Sequence, residues 1–343
     1  MPPPVEKRAM SRGRQLLIIL AGVLVLSSAL CHALVWALAI RTSGVDRGRI
    51  NPQAGGKPAL VLGSSLIFFG ISFREVATAM DRPLVTRSVG GCSPCELEWL
   101  AREVPEAART LIGVSLFDLN ESNLSDARPT LVPFTQTISD LRASHSDWAS
   151  TKRVVWSYPV PWVQRILPLT GRSNAMMVNL RDKVRSLRKQ PAGADLETRL
   201  TFKTDEDAER PEKLSNWDRG RIGRTLAQLA ATGLPHGRFD GPKSLALGRI
   251  LASAASQEPA VVIVFPVSPP YREMFADTTS VEHFEQALAR IKAANPNVQM
   301  IRLDQEPALQ PAEVYWDLVH LNDDGRRLAT RRLIEQLSPE AAR

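Results

Sequence analysis

The stretch Lys57-Pro58-Ala59-Leu60-Val61-Leu62-Gly63-Ser64-Ser65-Leu66-Ile67-Phe68-Phe69-Gly70 decides how the rest of the chain is read. Residues 59–62 form an apolar run that ends abruptly in a glycine and two serines, the pattern of a buried strand closed by a turn. A hydroxyl at the carboxyl end of a strand, next to the start of a helix, is where an α/β sheet places a nucleophile. Gly-Ser-Ser is also an ordinary turn, so these residues acquire meaning only from the rest of the chain.

Similar grammar continues on the carboxyl side. Residues 83–89 read as a second strand closed by Gly90-Gly91, and 110–117 as a third, bounded by Asp118-Leu119-Asn120-Glu121. Helical spacing falls between them, at 72–80 and at Leu97, Leu100 and Val104. Strands at 260–265 and 298–303 flank a helix at 281–294. The last helix begins near Asn322, an apt N-cap, with Asp323 and Asp324 suiting the helix dipole. Its apolar face is Ala329, Leu333 and Leu337. Such alternation predicts an α/β fold with a central parallel sheet over 58–337.

With 343 residues, 44% of them apolar, the chain can fill one large core or two ordinary ones. The formal net charge of +7 is spread throughout, without a nucleic-acid motif. Residues 15–40 contain no Asp, Glu, Lys or Arg. As a helix they would span roughly 39 Å, against a hydrocarbon core of ~30 Å. A cleaved signal has an apolar region of only about 7–15 residues, so the span reads as an uncleaved anchor in the lipid bilayer. Cys31 follows Leu30, where a lipoprotein site would need a small residue. Basic residues flank both ends, Lys7, Arg8, Arg12 and Arg14 before and Arg41, Arg47 and Arg49 after. Because tail 1–14 is short and all the bulk follows, the expected topology is a single pass of the inner (cytoplasmic) membrane, N-terminus cytoplasmic and domain periplasmic. Residues 41–57 read as a tether and 338–343 as a tail.

From about 150 to 245 the strand signals thin out, which marks an insertion, expected to be mostly helical and to cap the site. Its run Arg181, Lys183, Arg185, Arg188 and Lys189 is a solvated basic face or an amphipathic element on anionic headgroups. Asp205-Glu206-Asp207 and Pro211 read as a surface loop.

The chemistry gathers before the last helix, at Trp316-Asp317-Leu318-Val319-His320-Leu321-Asn322. Of the five histidines, His32 lies in the span, and His145, His236 and His283 lack an adjacent partner of this Asp-x-x-His kind. In Asp317-x-x-His320 a single turn can bring the carboxylate to the imidazole Nδ1–H and leave Nε2 to take a serine proton. Such a dyad predicts Ser65 Oγ within about 3–4 Å of His320 Nε2. Cys92-Ser93-Pro94-Cys95 carries the remaining cysteines. In an oxidising compartment they read first as a possible disulfide, then as unlinked thiols, and last as a redox pair or part of a zinc site, for which two further ligands are absent nearby. No metal or cofactor is expected.

A Gly-Ser-Ser at the first strand end and an Asp-x-x-His before the last helix resemble the first and last signature blocks of the SGNH (GDSL-like) hydrolase superfamily. The resemblance covers about 58–120 and 259–337 and implies a three-layer α/β/α, flavodoxin-like fold. It implies Ser65 as nucleophile, His320 as base and Asp317 as the residue that orients it. It also implies Gly91, with Gly90 beside it, and Asn120 as donors to an oxyanion. The aspartate usual before the nucleophile is Ser64 here, leaving two adjacent hydroxyls, and the Gly-x-Asn-Asp form of the third block is absent. Together with the anchor, the layout is similar to the teichoic acid D-alanyl-transfer protein and to alginate-type O-acetyltransferases. That similarity implies acyl transfer on an envelope or exported polysaccharide beside a multi-pass membrane acyltransferase. The alternative from a different class is a catalytically idle adaptor or glycan-binding subunit.

Overall fold

The computed structural model describes residues 12–37, 45–46, 48–51, 53–122, 131–144, 146, 148–159, 210–231, 237–254 and 258–337. The chain divides into two units, Met1–Ser43 with Pro159–Phe202, and Gly44–Tyr158 with Lys203–Arg343. In the first, one helix is described, α1 (Arg12–Ala37), apolar on all sides, as a bilayer-spanning segment must be. Its window Gly13–Leu30 is long and apolar enough to cross a membrane. Residues 38–40 of the expected span lie outside the described residues. So do the basic run 181–189, the loop 205–207 and the tail 338–343.

The second unit is a mixed α/β fold on one mostly parallel sheet. Two short strands, β1 (Val45–Asp46) and β2 (Arg49–Ile50), precede the parallel core of β3 (Ala59–Gly63), β4 (Leu84–Val89), β5 (Arg109–Ser115), β6 (Val261–Phe265) and β7 (Gln299–Arg302). The parallel order is β4-β3-β5-β6-β7, with Leu60 beside both Val85 and Thr110, and Ile112 beside Val262. The order reverses direction at β3, so the carboxyl ends of β3 and β5 are the switch point of a doubly wound sheet, the place where such sheets bind ligands. Ser65 follows β3 there.

β1 and β2 pair antiparallel with β4, so part of the segment expected to be a bare tether closes the sheet's outer edge. Two-residue strands carry no periodicity, and what recruits them is the open hydrogen-bonding edge of β4.

The helices are α2 (Ser65–Gly70), α3 (Phe73–Ala79), α4 (Pro94–Ala101), α5 (Leu116–Leu119), α6 (Phe134–Ala143) and α7 (Trp148–Ser157), then α8 (Arg219–Ala231), α9 (Pro242–Ala254), α10 (Pro269–Phe275), α11 (Thr278–Ala294) and α12 (Asp323–Leu337). α12 packs against α2 and α3, while α9 packs against α4, α6 and α11. β3 and β6 are buried along their whole length. Their aliphatic side chains, with Ala329 and Leu333 of α12, form one continuous core. Burying a large aliphatic side chain contributes about 1.5–3 kcal/mol, so this core dominates the stability of the unit.

Candidate active site

Ser65 is fixed by the way α2 begins. Ser64 is the N-cap, with extended backbone and a side-chain hydroxyl accepting from Leu66 N at 3.2 Å. An N-cap serine satisfies a backbone donor that the helix cannot, so the first of the two hydroxyls is occupied in ending the turn. Ser65 becomes the first helical residue, its side chain partly open. The helix is drawn close to the sheet by two glycines on neighbouring strands. A Cβ on Gly63 would stand 2.4 Å from Ile67 Cγ2, and one on Gly113 would stand 2.6 Å from Ile67 Cβ. Ile67 therefore seats into a hollow that only glycine leaves, and Ser65 rides on that seating.

The loop 315–321 is built around Asp317. Its Oδ1 accepts from Val319 N and His320 N, both at 2.8 Å, while Trp316 N donates to His320 O at 2.9 Å and Tyr315 bridges to Leu321. Ser268, just beyond β6, donates its hydroxyl to Leu318 O at 2.7 Å, and the buried Tyr315 hydroxyl donates to Val267 O and Leu309 O. Asn322 closes the loop by accepting from Asp324 N and Gly325 N at the head of α12. The loop is thus tied to the sheet at one end and to a helix at the other.

These supports bring the three side chains together. His320 Nε2 lies 2.8 Å from Ser65 Oγ, and His320 Nδ1 lies 2.8 and 3.0 Å from the two Asp317 oxygens. With the Nδ1 proton donated to Asp317, the Nε2 lone pair faces the serine hydroxyl. Burial pushes the Asp317 carboxyl up. The His320 charge and hydrogen bond, with the two backbone N–H groups, outweigh it and hold the carboxyl below its ordinary value.

Gly91 and Asn120 occupy the same end of the sheet. Gly91 has φ +67°, the left-handed region that favours glycine. The next residue, Cys92, donates its thiol to Gly63 O at 3.4 Å, tying the Gly90-Gly91 turn to the strand end that precedes Ser65. Asn120 is fully buried. Its Oδ1 accepts from Ser122 N at 3.0 Å, and its Nδ2 has no hydrogen-bond partner among the described residues.

No disulfide joins Cys92 and Cys95, contrary to the first reading of that pair. Ser93 between them starts α4, with Glu96 accepting from both its N–H and its hydroxyl at 2.6 Å. Cys92 thereby faces the main core, and Cys95 turns into a separate pocket with Val132 and Ala246. Among the described residues no cluster of three His, Cys, Asp or Glu side chains is placed to hold a metal ion.

Several further side chains surround the dyad. Phe69 and Trp316 lie against the His320 ring, centroids 5.3 and 5.7 Å away, and the Arg210 guanidinium stacks 3.7 Å over Phe69. Phe69 lies four residues after Ser65 on α2, and Trp316 adjoins Asp317, so both were within reach of the sequence. Arg210 carries no local signal. It also borders a cleft of about 720 Å³ between α3 and the start of α12, which neither Ser65 nor His320 lines.

Behind Ser64 lies a second carboxylate, Asp118, buried, whose Oδ2 accepts from the Ser115 hydroxyl at 2.9 Å. Burial pushes it up to about 6, against the Ser64 and Ser115 hydroxyls and the charges of Lys243 and His320. Ser64 is near enough to favour the ionised form, yet Oδ1 is left without a hydrogen bond of ordinary geometry.

Comparison with protein families and with curated proteins returns no match for this chain. A hydroxyl, an imidazole and a carboxylate in hydrogen-bonded sequence can generate a nucleophile and return its proton to a leaving group.

Proposed function

We propose that this protein is a membrane-anchored serine esterase or O-acyltransferase of the SGNH type, acting on ester-linked acyl groups of an envelope or exported polysaccharide. The observation that carries the reading is the hydrogen-bonded series Ser65–His320–Asp317, supplied by segments at opposite ends of the α/β unit. The strand order and the two helix groupings support the three-layer α/β/α arrangement of that superfamily.

In the reaction, Ser65 Oγ attacks the ester carbonyl carbon as His320 Nε2 takes its proton, and Asp317 stabilises the imidazolium. The tetrahedral oxyanion is met by donors at the strand ends, the Gly91 N–H and the Asn120 amide. Collapse breaks the bond to the leaving oxygen, which receives the proton from His320, and leaves an acyl-Ser65. Water or a sugar hydroxyl, deprotonated by His320, then attacks the acyl carbon and frees the serine. These steps need no cofactor. Helix α1 supports tethering at the membrane. On our reading the domain lies on the extracytoplasmic side, where a multi-pass acyltransferase would be the source of acyl groups.

The test uses the full chain in detergent, assayed for aryl acetate turnover and for fluorophosphonate labelling. Both are expected to be present in the wild type and abolished in Ser65→Ala. Equal behaviour of the two proteins in both assays overturns the catalytic reading and leaves the adaptor.

A further inference from the structure

Lys243 is fully buried, in the first turn of α9, and no step described above uses it. Burying an ammonium group costs several kcal/mol unless it is well bonded. Its Nζ donates to the backbone carbonyl of Asn120. Its own backbone N–H donates to Glu121 Oε1 at 2.9 Å, and Glu121 N in turn donates to Arg238 O at 2.9 Å. Gly241 lies so near that a Cβ there would stand 2.5 Å from the Glu121 carboxyl carbon. Residues 120–121 are therefore strapped to 238–243 at several points, and Lys243 makes two of the bonds.

The strap matters because of where helix α5 stops. Asn120 is its C-cap, with φ −64° and ψ 118°, already out of the helix, so helical geometry does not orient its side chain. Ser122 N holds Oδ1, Lys243 Nζ holds the carbonyl, and the Nδ2 amide remains as a buried donor with no described partner. A buried donor left unpaired in this way is costly in the resting protein and becomes useful when an oxygen arrives.

We propose that Lys243 is a positioning residue for the reaction, fixing the Asn120 backbone so that Nδ2 is presented to the oxyanion. This rests on the acyl-transfer reading above. It assigns Lys243 no contact with substrate. Its removal should therefore weaken transition-state stabilisation chiefly through Asn120.

The experiment is a double-mutant cycle on the full chain in detergent, with aryl acetate as probe and Ser65→Ala as blank. Asn120→Ala is expected to lower kcat about 10²–10³-fold. Lys243→Met, which keeps the apolar stem and removes the donor, is expected to lower kcat roughly tenfold or more, with KM changed less than about twofold. The double variant should be no slower than Asn120→Ala within about threefold. Losses that multiply, or a Lys243→Met with wild-type kcat, overturn the proposal. If Asn120→Ala is fully active while Ser65→Ala is dead, the role of Lys243 falls and the serine mechanism survives. If wild type and Ser65→Ala are alike, both fall. Should Lys243→Met not fold, Glu121→Ala releases the same strap from its other side and is read in the same cycle, with multiplying losses again decisive against it.

Discussion

Asp118→Asn should make this protein more stable at neutral and alkaline pH, and the size of the gain follows from the site. The Asp118 carboxyl is raised from 3.8 to about 6 by burial. A raised folded-state value means the neutral carboxyl is the favoured form, so its contribution is complete below pH ~4 and is lost as pH rises through about 6. At about 1.4 kcal/mol per pH unit, ionisation costs the wild type about 3 kcal/mol above that range. Asparagine has the same shape and no charge. Its oxygen can accept from the Ser115 hydroxyl, and its amide can take the place of the oxygen that now has no partner. Allowing about 1 kcal/mol for imperfect hydrogen bonds leaves a net gain of about 2 kcal/mol. For a unit of this size that is roughly 4–6 °C in Tm. Thermal melts of both proteins at pH 4.5, 6 and 8 should show the difference growing with pH and vanishing at the acid end. A gap independent of pH, or a variant less stable at pH 8, would refute the assignment of the charge to a buried and poorly bonded Asp118.

Other outcomes follow from the same geometry. Asp317→Asn keeps the shape of the loop but removes the charge that holds the Nδ1 proton, so kcat should fall about 10⁴-fold with KM little changed, measured on aryl acetate. Because the Asp317 carboxyl lies below its ordinary value, its contribution to stability is present at neutral pH and lost as pH falls through the folded-state value. Asp317→Asn should accordingly lose stability at pH 7 and converge with the wild type in acid melts. Gly113→Ala forces a methyl into Ile67 and should cost about 1–3 kcal/mol as α2 lifts, with a fall in fluorophosphonate labelling of Ser65. An added Ile67→Ala should restore part of both, and failure to do so would disconnect the seating of Ile67 from the placement of the serine.

What the sequence could express was whatever repeats or punctuates. The five parallel strands were legible because each contains apolar or β-branched residues and has a glycine, proline or acidic cluster after it, and each is found within two residues of its expected bounds. The third expected strand ran too far, to 117, since Leu116 and Phe117 are as apolar as what precedes them. What stops it is Ser115, whose hydroxyl accepts from Asp118 N and turns the chain into α5. Helix α10 was missed for a related reason. Pro269-Pro270 reads as a breaker, yet proline suits a helix start, and Ser268 caps it by accepting from Tyr271 N. The pairing of Ser65 with His320 was open to inference because Asp317 and His320 are three apart and histidines are few. Arg210 and Lys243 were not, because nothing local distinguishes a lysine on a helix's wet face from one buried beneath a loop.

The two carboxylates near Ser65 differ by environment alone, and the difference bears on their roles. Asp317 accepts two backbone N–H groups and the imidazole, all oriented by a loop tied to β6 and α12, so it is held as a carboxylate. Asp118 has the Ser115 hydroxyl on one oxygen, no ordinary hydrogen bond on the other, and burial against it. A group meant to stabilise an imidazolium must be charged at the working pH without a large stability cost, which Asp317 satisfies and Asp118 does not. Asp118 is costly to ionise and lies behind Ser64, within electrostatic reach of His320 and Lys243. On the proposed acyl-transfer reading Asp317 is the one that orients the base, while Asp118 changes its charge behind Ser64 as pH passes about 6. On this division Asp118→Asn should leave a Ser65-dependent enzyme with an altered pH profile, whereas Asp317→Asn should leave almost none. Reversal of those two results would exchange the roles of the carboxylates.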